Sequence, residues 1–296
     1  MNNSFQNDSN TALVLGGGGA AGNAWLTGVV AGLADGGLDV TDADLIIGTS
    51  AGSTAAAQLT GAKPAVLFAD ILDAASQSTT GPARTGQATR SATNHMETTS
   101  DIIAAAADAA DMRRRMGAWA LATDAASPRS AQWRTTVAVR LASHVWPQQR
   151  MLITAVDAHS GEPVVFDRHS GVDLVDAVAA SCAGGFAYSI GDRQYIDGGY
   201  RSNADNADLA AGYSRVLVLS PFGGRSRTPK EWGLQLATQV DELRAGGSAV
   251  LTMFPESESE HMFGANALDL AMRAPAARAG FDQGRELAEQ VTEFWR

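Results

Sequence analysis

Hydrophobic positions along the chain recur with two different periods. Thr11-Ala-Leu-Val-Leu15 is a short continuous apolar run ending in four glycines, the pattern of a strand buried on both faces. From about Gly22 to Ala34 the period lengthens, with Trp25, Val29 and Leu33 at helix-face spacing. Asp44-Leu-Ile-Ile47 then predicts a second strand and Ser50 to Leu59 a second helix. Strand, glycine-rich turn and helix thus occur twice in succession, as in a parallel sheet built from crossover helices.

Residues 62–147 differ in character and read as a mostly helical insertion. A helix is predicted from Pro64 to Ala75 and an Ala-rich helix from Asp101 to Ala126, followed by a break at Ser127-Pro128. Between the two helices the Ser/Thr/Gly-rich stretch Ser76 to Ser100 reads as a mobile loop, and the insertion as a lid or substrate-binding cap. Strands resume at Met151–Val156 and Pro163–Phe166, followed by a helix at Val172–Ala180 and strands at Gln194–Ile196 and Arg215–Leu219. The last third is mainly helical, with a further strand at Ala249–Phe254. The expectation is a mobile tail over residues 1–10 and a single domain over 11–296. Its fold class is three-layer α/β/α with a largely parallel central sheet.

Composition narrows the function. With 45% apolar and 18% charged residues in 296, the chain has the balance of a globular protein. Its net charge of −10 argues against nucleic acid, whose recognition needs a basic surface. The same charge disfavours adsorption to anionic lipid and leaves any transient membrane contact to an apolar patch. Cys182 is the one cysteine, so neither an intrachain disulfide nor a cysteine-based metal cluster can form, and no metal site is expected. The polar start MNNSFQNDSN lacks a signal-peptide pattern, and no apolar run approaches the ~18 residues of a membrane span, so a cytoplasmic location is expected.

Three motifs carry chemistry. In Gly16-Gly17-Gly18-Gly19-Ala20-Ala21-Gly22, consecutive glycines let backbone N–H groups converge at a helix start, where the dipole favours negative charge. Gly17, Gly19 and Gly22 satisfy G-x-G-x-x-G, with Asp39 or Asp42 about 20 residues on, as a dinucleotide site requires. The same amides could instead form an oxyanion hole, and a plain strand-to-helix turn is the third reading. Gly48-Thr49-Ser50-Ala51-Gly52 is G-x-S-x-G between a strand and a helix, the setting of a nucleophile elbow, and a dinucleotide-binding protein has no use for it. Ile196-Asp197-Gly198-Gly199 reads alone as a hairpin turn, but beside the other two motifs it reads as a catalytic carboxylate followed by glycines that leave room behind it.

Leu13 to Gly22, Gly48 to Gly52 and Asp197 to Gly199, in that order, resemble the patatin-like phospholipase family. The stretch Asn203 to Ser220 is similar as well, and the resemblance extends over roughly residues 11–220. It implies a Ser–Asp dyad without histidine, with Ser50 as nucleophile and Asp197 as general base. It also implies oxyanion donors in the Gly17–Gly19 backbone and Ala51, no cofactor, and lipid or fatty acyl ester substrates. Two departures stand out. Ala21 occupies a position that is often basic in the family, and Ser181-Cys-Ala-Gly-Gly-Phe186 lacks the family's usual proline, which bears on the acyl groove and its chain-length preference.

Other residues take blander readings. A Ser-His-Asp triad could draw only on His95, His144, His159, His169 or His261; chain order points to His261, whose surroundings read as a solvated helix start. Glu256, Glu258 and Glu260 read as a polar face, Cys182 as a buried small residue, and Trp119, Trp133 and Trp146 as core of the inserted region. Two other functions use the same loops. An acyltransferase would use the same elbow with an alcohol or thiol acceptor, and a Rossmann-like nucleotide-binding protein would use the Gly17–Gly22 loop.

Overall fold

The computed structural model describes residues 10–78, 85–126 and 129–296. The expected tail, Asn10 apart, and the break at Ser127-Pro128 lie outside the described residues.

The two apolar runs first noted become β1 (Thr11–Leu15) and β2 (Leu45–Gly48), each followed by its helix, α1 (Gly19–Asp35) and α2 (Ala51–Leu59). Helices α3 (Pro64–Ser78), α4 (Thr85–Ala105), α5 (Ala109–Ala126) and α6 (Ser130–Ala138) follow. Next come β3 (Arg150–Asp157), β4 (Pro163–Phe166), α7 (Leu174–Ser181), β5 (Tyr188–Ile190) and β6 (Arg193–Asp197). The chain ends with β7 (Arg215–Leu219), α8 (Leu236–Ala245), β8 (Ala249–Met253), α9 (Arg273–Glu286) and α10 (Ala288–Trp295). No helix among the described residues is long and apolar enough to cross a membrane.

The eight strands form one mixed sheet, paired in the order β5-β6-β3-β2-β1-β7-β8, with β4 also on β3. The pairings β3-β2, β2-β1, β1-β7 and β7-β8 are parallel, as the crossover pattern requires, whereas β4, β5 and β6 pair antiparallel. Alternate residues face opposite layers. Leu13, Leu15, Ile46, Ile153 and Leu217 pack with α1, α2 and α7, while Ala12, Val14, Leu45, Ile47 and Val216 pack with α8. These are the three layers. Along the insertion side, Met112, Met116 and Ala120 of α5 cover Val156 and Ile196.

Strand β3 sets up the site. Ile153 pairs with both Gly48 of β2 and Phe166 of β4, and Ala155 with both Val164 of β4 and Asp197 of β6. A strand residue has one partner on each side, so β2 and β6 lie on the same edge of β3, opposite β4. Because β2 runs parallel to β3 and β6 antiparallel, their C-terminal ends meet head-on beside Thr154.

The insertion is more helical than its composition suggests. The described part of the Ser76–Ser100 stretch includes the first half of α4, and residues 79–84 lie outside the described residues. Thr98, Thr99 and Ser100 direct their hydroxyls to carbonyls four residues back, so these polar side chains accommodate the helix rather than ending it. The single helix expected over 101–126 is interrupted at 106–108, where Asp108 accepts from the Asp111 N–H and starts α5. Trp133 and Trp146 are not an inner core of the insertion. Their indole N–H groups donate to the carbonyls of Ala179 and Val172, tying the insertion to α7 and the loop before it.

Candidate active site

Ser50 sits at the strand-to-helix turn after β2 with φ 52° and ψ −116°, a left-sided conformation that a residue with a Cβ seldom adopts. The flanking glycines make the turn possible. A Cβ on Gly52 would collide with the Leu15 carbonyl, and one on Gly48 would lie 2.6 Å from the Ser53 Cα. The Ser50 N–H donates to the Ser181 hydroxyl at 2.9 Å, and Ser50 Oγ donates to Asp197 Oδ2 at 2.8 Å.

Asp197 ends β6. Its N–H donates to the Ala183 carbonyl at 3.1 Å, and its Oδ1 accepts the Gly199 N–H at 2.8 Å. Burial pushes its carboxyl up to about 6, against the pull of the Gly199 amide and the Ser50 hydroxyl. Gly198 passes so close to Thr154 that a Cβ would strike the threonine hydroxyl. A Cβ on Gly184 would stand 3.6 Å from Asp197 Oδ2, so the proline-free Ser181–Phe186 segment runs directly past the carboxylate.

The glycine loop lies against the elbow, with the Cβ position of Gly17 3.5 Å from the Ser50 Cβ. Its amides are not equivalent. The Gly17 N–H donates to the Ala204 carbonyl at 2.7 Å and the Gly22 N–H to the Gly18 carbonyl at 2.9 Å. Of the expected oxyanion donors, Gly17 thus has its N–H engaged by Ala204. Gly18, Gly19 and Ala51 donate to no acceptor among the described residues. Gly19 has φ +64°, and a Cβ there would stand 2.5 Å from the Ala267 carbonyl, which itself accepts the Ala21 N–H. Ala21 is fully buried.

The structure does not assemble a dinucleotide site. Asp39 and Asp42 precede β2, and Leu45 pairs with Ala12 near the start of β1. Both acids therefore lie at the opposite end of the sheet from the glycine loop, whereas a ribose-binding acid belongs at the same, carboxyl end. Gly18 and Gly22 instead make room for Pro221, whose Cβ lies 2.6 Å and 3.1 Å from their Cβ positions.

Among the described residues no histidine hydrogen-bonds Ser50 or Asp197. His261 turns its Nδ1 to the Glu258 carbonyl on an exposed turn. His95 is linked toward the site through intermediaries: its Nε2 lies 3.5 Å from the Tyr200 hydroxyl, which donates to the Gly184 carbonyl, and its ring packs on Trp119. Burial, then the nearby Arg227 charge, holds the His95 imidazole below its ordinary range. Cys182 donates its thiol to the Ser50 carbonyl at 3.0 Å, and burial pushes that thiol up to about 11, far from a reactive thiolate. No group of three His, Cys, Asp or Glu side chains among the described residues is placed to hold a metal.

Sequence reasoning missed the residues that brace the site. Asn206, with Ser50 the other non-glycine residue at positive φ among the described residues, donates its Nδ2 to Thr49 Oγ1 and the Gly198 carbonyl, each at 3.0 Å. Thr154 Oγ1 donates to Thr49 Oγ1, also at 3.0 Å. Asn206 thereby links the residue before the serine to the residue after the aspartate. Only its place in the stretch Asn203 to Ser220 set it apart in the sequence.

The crystal structure of VipD from Legionella pneumophila aligns over 95% of this chain and 67% of its own, with 13% identity and a TM-score of 0.44. That of the type III effector ExoU aligns over 94% of this chain and 54% of its own, with 16% identity and a TM-score of 0.36. The chain spans about two thirds of the first protein and about half of the second. No curated protein matches it by sequence. The family described as patatin-like phospholipase matches residues 13–210, more than half of the chain and all three motif loops. The chain belongs to the patatin-like phospholipase family.

Proposed function

We propose that the protein is a lipid acyl hydrolase working through a Ser50–Asp197 dyad. The observation that carries this reading is the 2.8 Å hydrogen bond from Ser50 Oγ to Asp197 Oδ2, made at a strained elbow. As the ester carbonyl approaches, Ser50 Oγ attacks its carbon and Asp197 takes the hydroxyl proton. The Gly18, Gly19 and Ala51 amides, which have no acceptor of their own among the described residues, receive the developing oxyanion. Collapse of the tetrahedral intermediate expels the alcohol with the proton from Asp197. Water, deprotonated by the same carboxylate, then releases the acid.

A carboxyl near 6 suits both steps, being ionised at neutral pH yet a stronger base than an exposed aspartate. Leu268, whose Cδ2 lies 3.1 Å from the Gly19 Cβ position, is 58% exposed, which supports arrival of an apolar substrate from that side.

The test is turnover of a panel of p-nitrophenyl esters and phospholipids by the wild type and Ser50→Ala. Loss of a covalent nucleophile costs several orders of magnitude. A folded Ser50→Ala protein retaining more than about a tenth of the wild-type rate refutes the assignment.

A further inference from the structure

Asp205 is a buried carboxyl beside the site that the proposed chemistry does not use. It is 2% exposed, and its Oδ1 has no hydrogen-bond partner among the described residues. That oxygen occupies the space where a side chain on Gly16 would begin, so the first glycine of the loop lies directly against the carboxyl. The turn carrying Asp205 is strapped to all three motif loops. Ala204 accepts the Gly17 N–H, and Asn206 bonds both Thr49 at the elbow and Gly198 after the aspartate. Asn203 Oδ1 closes the turn by accepting the N–H groups of Asp205 and Asn206, each at 2.8 Å.

We propose that Asp205 is a positioning residue that works only while protonated: its neutral carboxyl supports the glycine loop, and its ionisation switches the site off. The proposal rests on the hydrolase reading above. A carboxylate at this place would set a full negative charge beside Gly16, two residues before the Gly18 amide that is to hold an oxyanion, and like charges there oppose the intermediate. A buried anion with so few donors would also draw on neighbouring N–H groups, and those of Gly16 and Gly17 now serve Leu219 and Ala204.

The groups facing Asp205 do not offset such a charge. The glycine loop presents Gly16, the end of β7 presents the Leu219 carbonyl and the Ser220 hydroxyl, and its own turn presents Asn203. Of the charged groups on adjoining turns, Asp197 is engaged with Ser50 and Gly199, and Arg201 is closed on Asp208 at 2.8 Å. Burial pushes the Asp205 carboxyl up to about 7, with the Ser220 hydroxyl pulling the other way.

The test is kcat/KM for p-nitrophenyl butyrate, from about pH 5 to pH 10, for the wild type, Asp205→Asn, Ser220→Ala and Ser50→Ala. The wild type is expected to lose activity above about 7, by about tenfold per pH unit. Asp205→Asn, a neutral isostere, should lack that fall, and Ser220→Ala, which removes the hydroxyl favouring the anion, should move it to higher pH. A wild-type profile with no alkaline fall overturns the proposal. So does a folded Asp205→Asn that keeps the fall or is inactive at every pH. If Asp205→Asn does not fold, Ser220→Ala decides, and an unmoved fall overturns the proposal. Turnover surviving in Ser50→Ala instead overturns the hydrolase reading on which it rests.

Discussion

If Asp197 is the base, protonating it must stop the reaction, and the structure indicates where. Its carboxyl is pushed up to about 6 because burial outweighs the two hydrogen bonds that favour its anion. At pH 5 about a tenth of the molecules then hold the ionised form, so kcat/KM should fall about tenfold below its maximum. An aspartate at its ordinary value of 3.8 would still be over about 90% ionised at that pH and would show almost no loss. The direction follows from the base needing its anion, so activity rises with pH through this region. The acid limb alone does not separate aspartate from histidine, since an imidazole titrates in nearly the same range. Temperature does, because carboxyl ionisation has little enthalpy and imidazolium ionisation a large one. The midpoint should therefore stay almost fixed between 10 and 35 °C. Asp197→Asn should lower kcat/KM by about 10²–10⁴ and His95→Gln should not approach that loss. A midpoint that moves strongly with temperature, together with a folded His95→Gln as inactive as Asp197→Asn, refutes the dyad.

Gly19→Val should depress ester turnover while leaving a folded protein, because the new side chain meets the Ala267 carbonyl and disfavours the +64° φ that aims the loop. Losing one oxyanion donor costs about 2.7–4 kcal/mol of barrier, so wild-type kcat in a folded Gly19→Val would remove that amide from the mechanism. Gly28→Ala should destabilise the fold: its Cβ would strike the Ala277 carbonyl of α9, an overpacking cost of about 1–3 kcal/mol. That exceeds the ~1 kcal/mol alanine gains in helix propensity, and an unchanged Tm would show that the two helices are less tightly joined.

The parts of the fold legible in the sequence are those written locally. Strands such as Arg215–Leu219 are continuous apolar runs because both sheet faces are covered, and the elbow and glycine loop lie within single short segments. Tyr188–Ile190, three residues long, offers no period to read. Helix α4 was hidden by composition, since serine and threonine signal loops unless their hydroxyls turn back onto the helix, as Thr98, Thr99 and Ser100 do. The glycine motif did not reveal which amides are free, because Gly17 is occupied by Ala204, far along the chain. The bracing roles of Ser181, Thr154 and Asn206 were not legible for the same reason, as each is ordinary in its own segment and acquires its role only across the fold.

A single topological fact brings these pieces together. Two strands ending head-on along one edge of β3 interrupt the ladder there, and the polar groups at the gap must find other partners. Thr154 fills it from β3, with its hydroxyl on Thr49, and Asn206 completes it by donating to Thr49 and to the Gly198 carbonyl. Thr49 immediately precedes Ser50, and Gly198 immediately follows Asp197. The bonds that satisfy the interrupted edge therefore fix the separation of the serine hydroxyl from the carboxylate. Gly198 must lack a side chain because Thr154 already occupies the space. The same arrangement bears on why no imidazole stands between Ser50 and Asp197 among the described residues. Strand ends brought together by a shared neighbour place the two side chains at 2.8 Å directly, and a ring between them would require the strands to part.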